Sequence, residues 1–345
     1  VAGSIPAQAT SLARCFIVTL SVKVFHGCVL SSYSCPVRIN LRQNLYKSLL
    51  IFLNLSVDYK GDNRSDLGVS PYARRSPLLM TIYNLRELNA FLKDRRDTKF
   101  FKEKTRALKN SKRNVEALVL GNGPSLAKLN SDNVSLGNPD IWVVNDFYKV
   151  KQAINLKVTH YVLSDPAYLS GVPNEINAKL KPVLDYVKLK NATLILPHWA
   201  KDLVLNEFIS IPIFYFNDCS LSAWSKNTTP LKPRGYIGLT LYKALGFALF
   251  LGYKKIYILG MDNTEFLNYR SDEANRLLHF DNHAYQNSGT AFDMSNLYLD
   301  GMASTFSSLA HNFGDLLKFK GPIVNLDVQS LTTRFPKEAN HPWVS

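Results

Sequence analysis

The chain has 345 residues, 46% of them hydrophobic and 20% charged, the balance of a globular protein with ample core for one large domain or two smaller ones. Its net charge of +14 is unevenly placed: residues 1–120 hold 20 Lys/Arg against 8 Asp/Glu, whereas residues 121–345 hold 21 against 19. The basic flank has no known nucleic-acid motif, which argues against a nucleic-acid protein. It suits a solvated helix, or contact with an acidic polymer or an anionic membrane surface.

Residues 1–79 show no sustained helical or strand periodicity and are expected to be poorly structured or a non-native extension. Within them Ser11–Tyr33 is apolar but interrupted by Arg14, Lys23 and His26, too broken for a membrane span and without a signal-peptide layout. Cys15, Cys28 and Cys35 lie here and Cys219 stands alone, with no zinc spacing among them. A main body nearly free of cysteine suits a reducing compartment, so the expected location is the cytoplasm, with any membrane contact peripheral and on the inner face. Residues 80–114 follow as a basic amphipathic helical segment, in which Leu85, Leu88, Phe91 and Leu92 precede a run of charges.

From Val115 the pattern changes to short apolar runs alternating with helical stretches. Strands are expected at Ala117–Leu120, Ile141–Val144, His160–Leu163, Thr193–Leu196, Ile213–Phe216, Ile256–Leu259 and Ile323–Leu326. Nearly continuous apolar strands with crossovers predict an α/β domain over 115–330: a doubly wound, mostly parallel, Rossmann-like sheet of about seven strands. Leu239–Leu251 is apolar almost all round and reads as a helix buried against that sheet. Residues 263–305 are polar with little strand signal, long enough for a lid-like insertion, and 331–345 read as a tail.

The most telling local feature is Gly121-Asn122-Gly123-Pro124-Ser125, directly behind the first strand. Glycines there allow positive φ and close approach of a ligand to the main chain, and Ser125 is placed to cap a helix starting near Leu126. That is the arrangement of a phosphate cradle, although it is neither G-x-G-x-x-G nor a Walker loop. Asn145 and Asp146 follow the second strand, Ser164 and Asp165 the third, and Asp262 the sixth. Any one of these suits a helix cap equally well. Together, at the carboxyl edge of an open sheet, they point to a site that reads a nucleotide's base and ribose.

Arg234-Gly235-Tyr236-Ile237-Gly238 precedes the buried helix and forms a second candidate anion site, or a loop whose Arg pairs with a carboxylate. His279-Phe280-Asp281-Asn282-His283 is the densest ionisable cluster, with alternate residues on one side if extended. A histidine beside Asp281 can act as general base, and the triplet could also hold a metal or simply be solvated. No Asp-x-Asp occurs, so the common metal–diphosphate handle is missing, and no serine sits in a nucleophile elbow.

The Gly121–Ser125 loop, Val144-Asn145-Asp146-Phe147-Tyr148 and the stretch from Arg234 to Asp262, ending Gly-Tyr-Lys-Lys-Ile-Tyr-Ile-Leu-Gly-Met-Asp, resemble the bacterial sialyltransferase-like superfamily. That group comprises α-2,3/2,8-sialyltransferases, the flagellin-modifying motility accessory factors, and proteins labelled as MptE-like 6-hydroxymethylpterin diphosphokinases. The resemblance covers about residues 115–330. It implies metal-independent transfer of a nonulosonic sugar from a CMP-sugar donor to a glycan or glycoprotein acceptor, with no cofactor. It further implies that Asn122 contacts the donor and Asn145 faces the nucleotide, with Arg234 matching the family's Arg, Asp165 where the family has Asn, Tyr236-Ile237-Gly238 where it has Thr-Ser-Gly, and Asp262 closing the matched stretch. Gly121, Gly123, Ser125 and Gly238 complete the candidate nucleotide site as residues of the two glycine turns. The family's base histidine lies three residues after a tyrosine. After Tyr285 that place is Ser288, so His283 or His279, supported by Asp281, would have to serve. The MptE-like alternative requires Mg-ATP, with the metal gathered by carboxylates such as Asp146, Asp165 and Asp262; a non-catalytic nucleotide- or glycan-binding protein is the other.

Overall fold

The structure, a computed structural model, describes residues 91–169, 178–203, 210–219, 227–233, 239–274, 277–280, 283–284, 291–293, 316 and 318–344. All fall within one compact unit, Arg74–Ser345. The expectations for residues 1–79, for 80–90 and for Arg234, Gly238 and Asp281 lie outside the described residues.

Each of the seven expected strands forms within a residue or two of its expected bounds: β1 Glu116–Leu120, β2 Asp140–Val144, β3 Val158–Val162, β4 Thr193–Pro197, β5 Ile213–Phe216, β6 Lys255–Leu259 and β10 Ile323–Asn325. They make one sheet in the order β10-β6-β1-β2-β3-β4-β5, and every pair is parallel. The chain starts in the middle, winds outward through β5, and returns to the other side of β1. That is a doubly wound α/β sheet of Rossmann-like type, with its reversal of strand order between β1 and β6.

Both faces of the sheet are buried, which is why the strands read as unbroken apolar runs rather than alternating ones. Leu118, Leu120, Ile141, Val143 and Tyr161 face one layer, with helices α2 (Ser131–Gly137) and α4 (Leu180–Lys190). Ala117, Val119, Trp142, Val144 and Ile258 face the other, where α5 (Thr240–Leu251) packs Tyr242, Leu245, Phe247 and Ala248 onto them. Burial on this scale, about 1.5–3 kcal/mol for each large apolar side chain, decides the fold. A one-turn helix, α3 (Pro166–Leu169), follows β3.

The helical segment 91–97 and helix α1 (Lys99–Ala107) run along β5, the edge strand. Phe101 is buried, Thr105 Oγ1 donates to the Tyr215 carbonyl at 3.2 Å, and Lys104 Nζ to that of Ile213 at 3.4 Å. Unsatisfied edge carbonyls invite pairing with another chain, and here they are covered.

Two regions differ from the expectation. Between residues 263 and 305 the described part contains three short strands, β7 Tyr269–Ser271, β8 Leu277–Phe280 and β9 Ala291–Asp293, forming an antiparallel sheet. Strands of three or four residues are too short to leave a periodic signal. Residues 331–344, read as a tail, are built into the core: Phe335 and Trp343 are buried, Leu129 and Val344 form an antiparallel bridge, and the Asn130 N–H donates to the Trp343 carbonyl at 2.8 Å.

Candidate functional site

In an open α/β sheet ligands bind outside the carboxyl ends of the strands, where the strand order reverses. Here the loops after β1 and β6 form that point, and they are packed main chain to main chain. The Gly121 N–H donates to the Leu259 carbonyl at 2.8 Å, and the Gly123 N–H to that of Gly260 at 3.0 Å. A Cβ on Gly121 would lie 2.2 Å from the Gly260 oxygen, and one on Gly260, at φ +75°, 2.4 Å from that of Gly121. Close approach therefore requires the glycines after β1. Positive φ does not: Gly123 sits at φ −67°, and the left-handed residues of the pair of loops, Gly260 at φ +75° and Asn263 at φ +56°, both follow β6.

The phosphate cradle expected at this loop is corrected in two ways. The helix behind it is a five-residue 3-10 turn, Pro124–Lys128, with no side-chain cap. Ser125 lies inside that turn and uses its Oγ to accept the Gly260 N–H at 3.0 Å. The anion that meets the turn is the protein's own: Asp262 accepts the Ser125 N–H at 3.2 Å through Oδ1 and 3.4 Å through Oδ2.

Asp262 is only 8% exposed, and burial, with the hydrogen-bonded Asp327 carboxylate beside it, pushes its pKa up to about 6. Asp327 in turn pairs with Lys128 at 3.0 Å. Asp327 was not singled out in the sequence, yet the signal was there: it follows the last strand through Leu326, as Asn122 follows the first.

Asn122 and Asn145 end β1 and β2 side by side. Asn122 Nδ2 donates to the Val144 carbonyl at 3.3 Å, next to Asn145. The side-chain oxygens of both, Oδ1 in each case, are buried and accept no hydrogen bond among the described residues. Buried acceptors left open are costly, on the order of 1–3 kcal/mol each, and such groups call for a partner. Asn145 holds a left-handed backbone at φ +48°, and the buried Tyr161 hydroxyl donates to its carbonyl, fixing the turn.

The segment carrying the histidines reaches the same place. The Ala284 N–H donates to the Asn122 carbonyl at 2.8 Å, which brings His283, itself exposed, beside the glycine loop. His279 sits in β8, in register with Tyr269 and Phe292. Thr240 opens α5 at the same sheet edge, and its hydroxyl lies 2.8 Å from that of Ser164, both side chains buried. The N-cap of α5, Leu239, offers no side-chain acceptor.

The remaining acidic residues are dispersed. Asp165 accepts the Ala167 N–H at 2.8 Å and so opens the turn into α3, while Asp146 pairs with Lys149 at 2.9 Å. With Asp262 turned onto Ser125, these three carboxylates each serve a separate local partner.

No protein-family model matches this chain, and no curated protein sequence does. One similar solved structure is the MAf glycosyltransferase of Magnetospirillum magneticum AMB-1, at 12% identity and a TM-score of 0.39. The match covers 76% of this chain and 42% of that one, so the chain spans less than half of that protein's length. A likeness of that degree carries no argument about chemistry.

Proposed function

We propose that this chain is a nucleotide-sugar-dependent glycosyltransferase of sialyltransferase-like type, moving a nonulosonic sugar from a CMP-sugar to a glycan or glycoprotein hydroxyl without a metal. The observation that carries the reading is the pair of buried, open amide oxygens on Asn122 and Asn145 beside the strand-order reversal. A nucleoside brings the donors they lack: ribose hydroxyls and, in cytosine, an exocyclic amine. The sequence resemblance supplies the choice of CMP.

Because Asp262 holds the Ser125 N–H, the donor phosphate belongs elsewhere along the edge. The uncapped first turn of the twelve-residue helix α5, with the hydroxyls of Ser164 and Thr240, suits it. His283 or His279, with Asp281, takes the proton of the acceptor hydroxyl. The acceptor oxygen bonds to the anomeric carbon as its bond to the phosphate oxygen breaks, and CMP leaves carrying that electron pair.

Thermal unfolding with CMP, CMP-sialic acid, UDP-sugars, ATP and GTP, each with and without Mg²⁺, tests the assignment. A ligand at 100 times its Kd stabilises the native state by about 2.7 kcal/mol, a shift easily read. Stabilisation by CMP in the absence of Mg²⁺ is expected. Stabilisation by Mg-ATP alone would move the assignment to the pyrophosphokinase, and no shift with any nucleotide would remove the nucleotide site.

A further inference from the structure

The N-terminal helical segment buries one side and leaves a cationic groove on the other. Asp94, Thr98, Phe101 and Thr105, spaced by three or four residues, are buried. Opposite them Leu92, Arg95, Arg96, Lys99 and Lys102 line one open groove of about 520 Å³. Residues 91–114 contain ten Lys/Arg against three Asp/Glu; of those acids Asp94 is buried and Asp97 lies 3.3 Å from Arg96. The cations crowd one another: burial, together with Arg95 and Arg106, lowers the pKa of Lys102 despite the opposing pull of Asp94.

Leu92, which lines the groove, is 54% exposed; Phe100, 49% exposed, lies outside that lining and meets Tyr215 edge-on with ring centres 5.1 Å apart. Lys201 lies over the Phe100 ring at 5.8 Å and extends the positive surface. The segment also sits at the carboxyl edge of the sheet. Asn217, directly after β5, donates to Asp94 at 2.9 Å, and His198, directly after β4, lies 3.9 Å from it. That is the same edge at which Asn122 and Asn145 end their strands.

We propose that this face docks on an anionic lipid bilayer, with Arg95, Arg96, Lys99 and Lys102 among the headgroups and Leu92 at the acyl boundary. A soluble acidic polymer would satisfy the cations but would leave Leu92 in water, so the lipid surface fits the whole face. Docking here holds the candidate site's edge of the sheet at the membrane surface. The docking surface stands apart from the proposed transfer chemistry and is tested apart from it.

The full-length chain is sedimented with vesicles of phosphatidylcholine alone and with about 30% phosphatidylserine, at low and at high salt. Selective binding to the anionic vesicles, weakened by salt, is expected. Each cation near such a surface contributes roughly a fivefold gain, so the triple variant Arg95→Gln, Lys99→Gln, Lys102→Gln should bind about 100-fold more weakly with an unchanged Tm. Leu92→Ala should cost about tenfold on vesicles and nothing on dextran sulfate. Equal binding to both vesicle types, or full binding by the triple variant, overturns the proposal. So does a Leu92→Ala protein that keeps its vesicle affinity, which would make the partner an acidic polymer.

Discussion

Asp262 turns its carboxylate onto the backbone N–H of Ser125, 137 residues earlier in the chain, and so fills from within the position that a glycine loop usually keeps for a phosphate. Protonated, Asp262 can accept from Ser125 and donate to Asp327 at once. Ionised, it faces a second buried carboxylate.

The consequence for stability has a definite sign. The folded-state pKa of Asp262, about 6, lies above the unfolded value of 3.8, so the folded protein holds the proton more tightly between those values and loses stability as pH rises through that window. Asp262→Asn keeps an oxygen for Ser125 and offers an N–H to Asp327 without the charge. It should be more stable than the parent at pH 7.5 by on the order of 2 kcal/mol, and the difference should vanish near pH 4. Urea unfolding of both proteins across that range measures it, and an Asn variant that is weaker at pH 7.5 would show the ionised carboxylate to be stabilising.

Gly121→Ala places a Cβ 2.2 Å from the Gly260 carbonyl oxygen, an atom of the main chain that can move only with its strand. It should cost about 1–3 kcal/mol, or more, as overpacking does. Gly123→Ala meets the Asp262 carboxylate first, at 1.8 Å, a side chain that can swing away, and then the Gly260 carbonyl oxygen at 2.8 Å, a milder main-chain contact than the 2.2 Å of Gly121→Ala. The expected result is a larger loss of Tm for Gly121→Ala, with the pH dependence described above altered only in Gly123→Ala.

Asn122→Ala removes a buried oxygen that has no partner among the described residues and gives up one 3.3 Å hydrogen bond to Val144. The ligand-free protein should therefore unfold within about 1 kcal/mol of the parent, while CMP binding weakens roughly tenfold. Calorimetric titration beside thermal unfolding separates the two. Unchanged CMP affinity would take Asn122 out of the site.

Replacing His279 and His283 together by Ala should lower turnover by about 10²–10⁴ and leave CMP affinity as it was, the signature of a lost general base. Transfer assayed with a CMP-sugar donor gives the first quantity and nucleotide titration the second. Normal turnover in the double variant would assign the base to another residue.

Much of the fold was legible in the chain because its determinants are local. Each strand of the parallel sheet is buried on both faces, so each appears as an apolar run such as Ala117–Leu120 or Ile256–Leu259 without reference to any other. The three strands between Tyr269 and Asp293 were missed because they are too short for a pattern. Trp343 and Phe335 were missed as core because a scattered aromatic in a polar stretch shows its burial only when its partners, such as Tyr257 with ring centres 4.9 Å from Trp343, are known.

The candidate site divides along the same line. That Asn122, Asn145, Asp165 and Asp262 stand at strand ends follows from the sequence alone, since it needs only the strand boundaries and the direction of the chain. Which of them is open and which is spent depends on contacts that run from two residues, for Asp165 with Ala167, to 137, for Asp262 with Ser125. Asp165 is consumed by its own turn and Asp262 by Ser125, whereas Asn122 and Asn145 keep open acceptors. The glycines show it most plainly. Their presence behind β1 is written in the sequence, but the reason for them is the Gly260 main chain lying against Gly121, and only the pairing of β1 with β6 brings the two within reach.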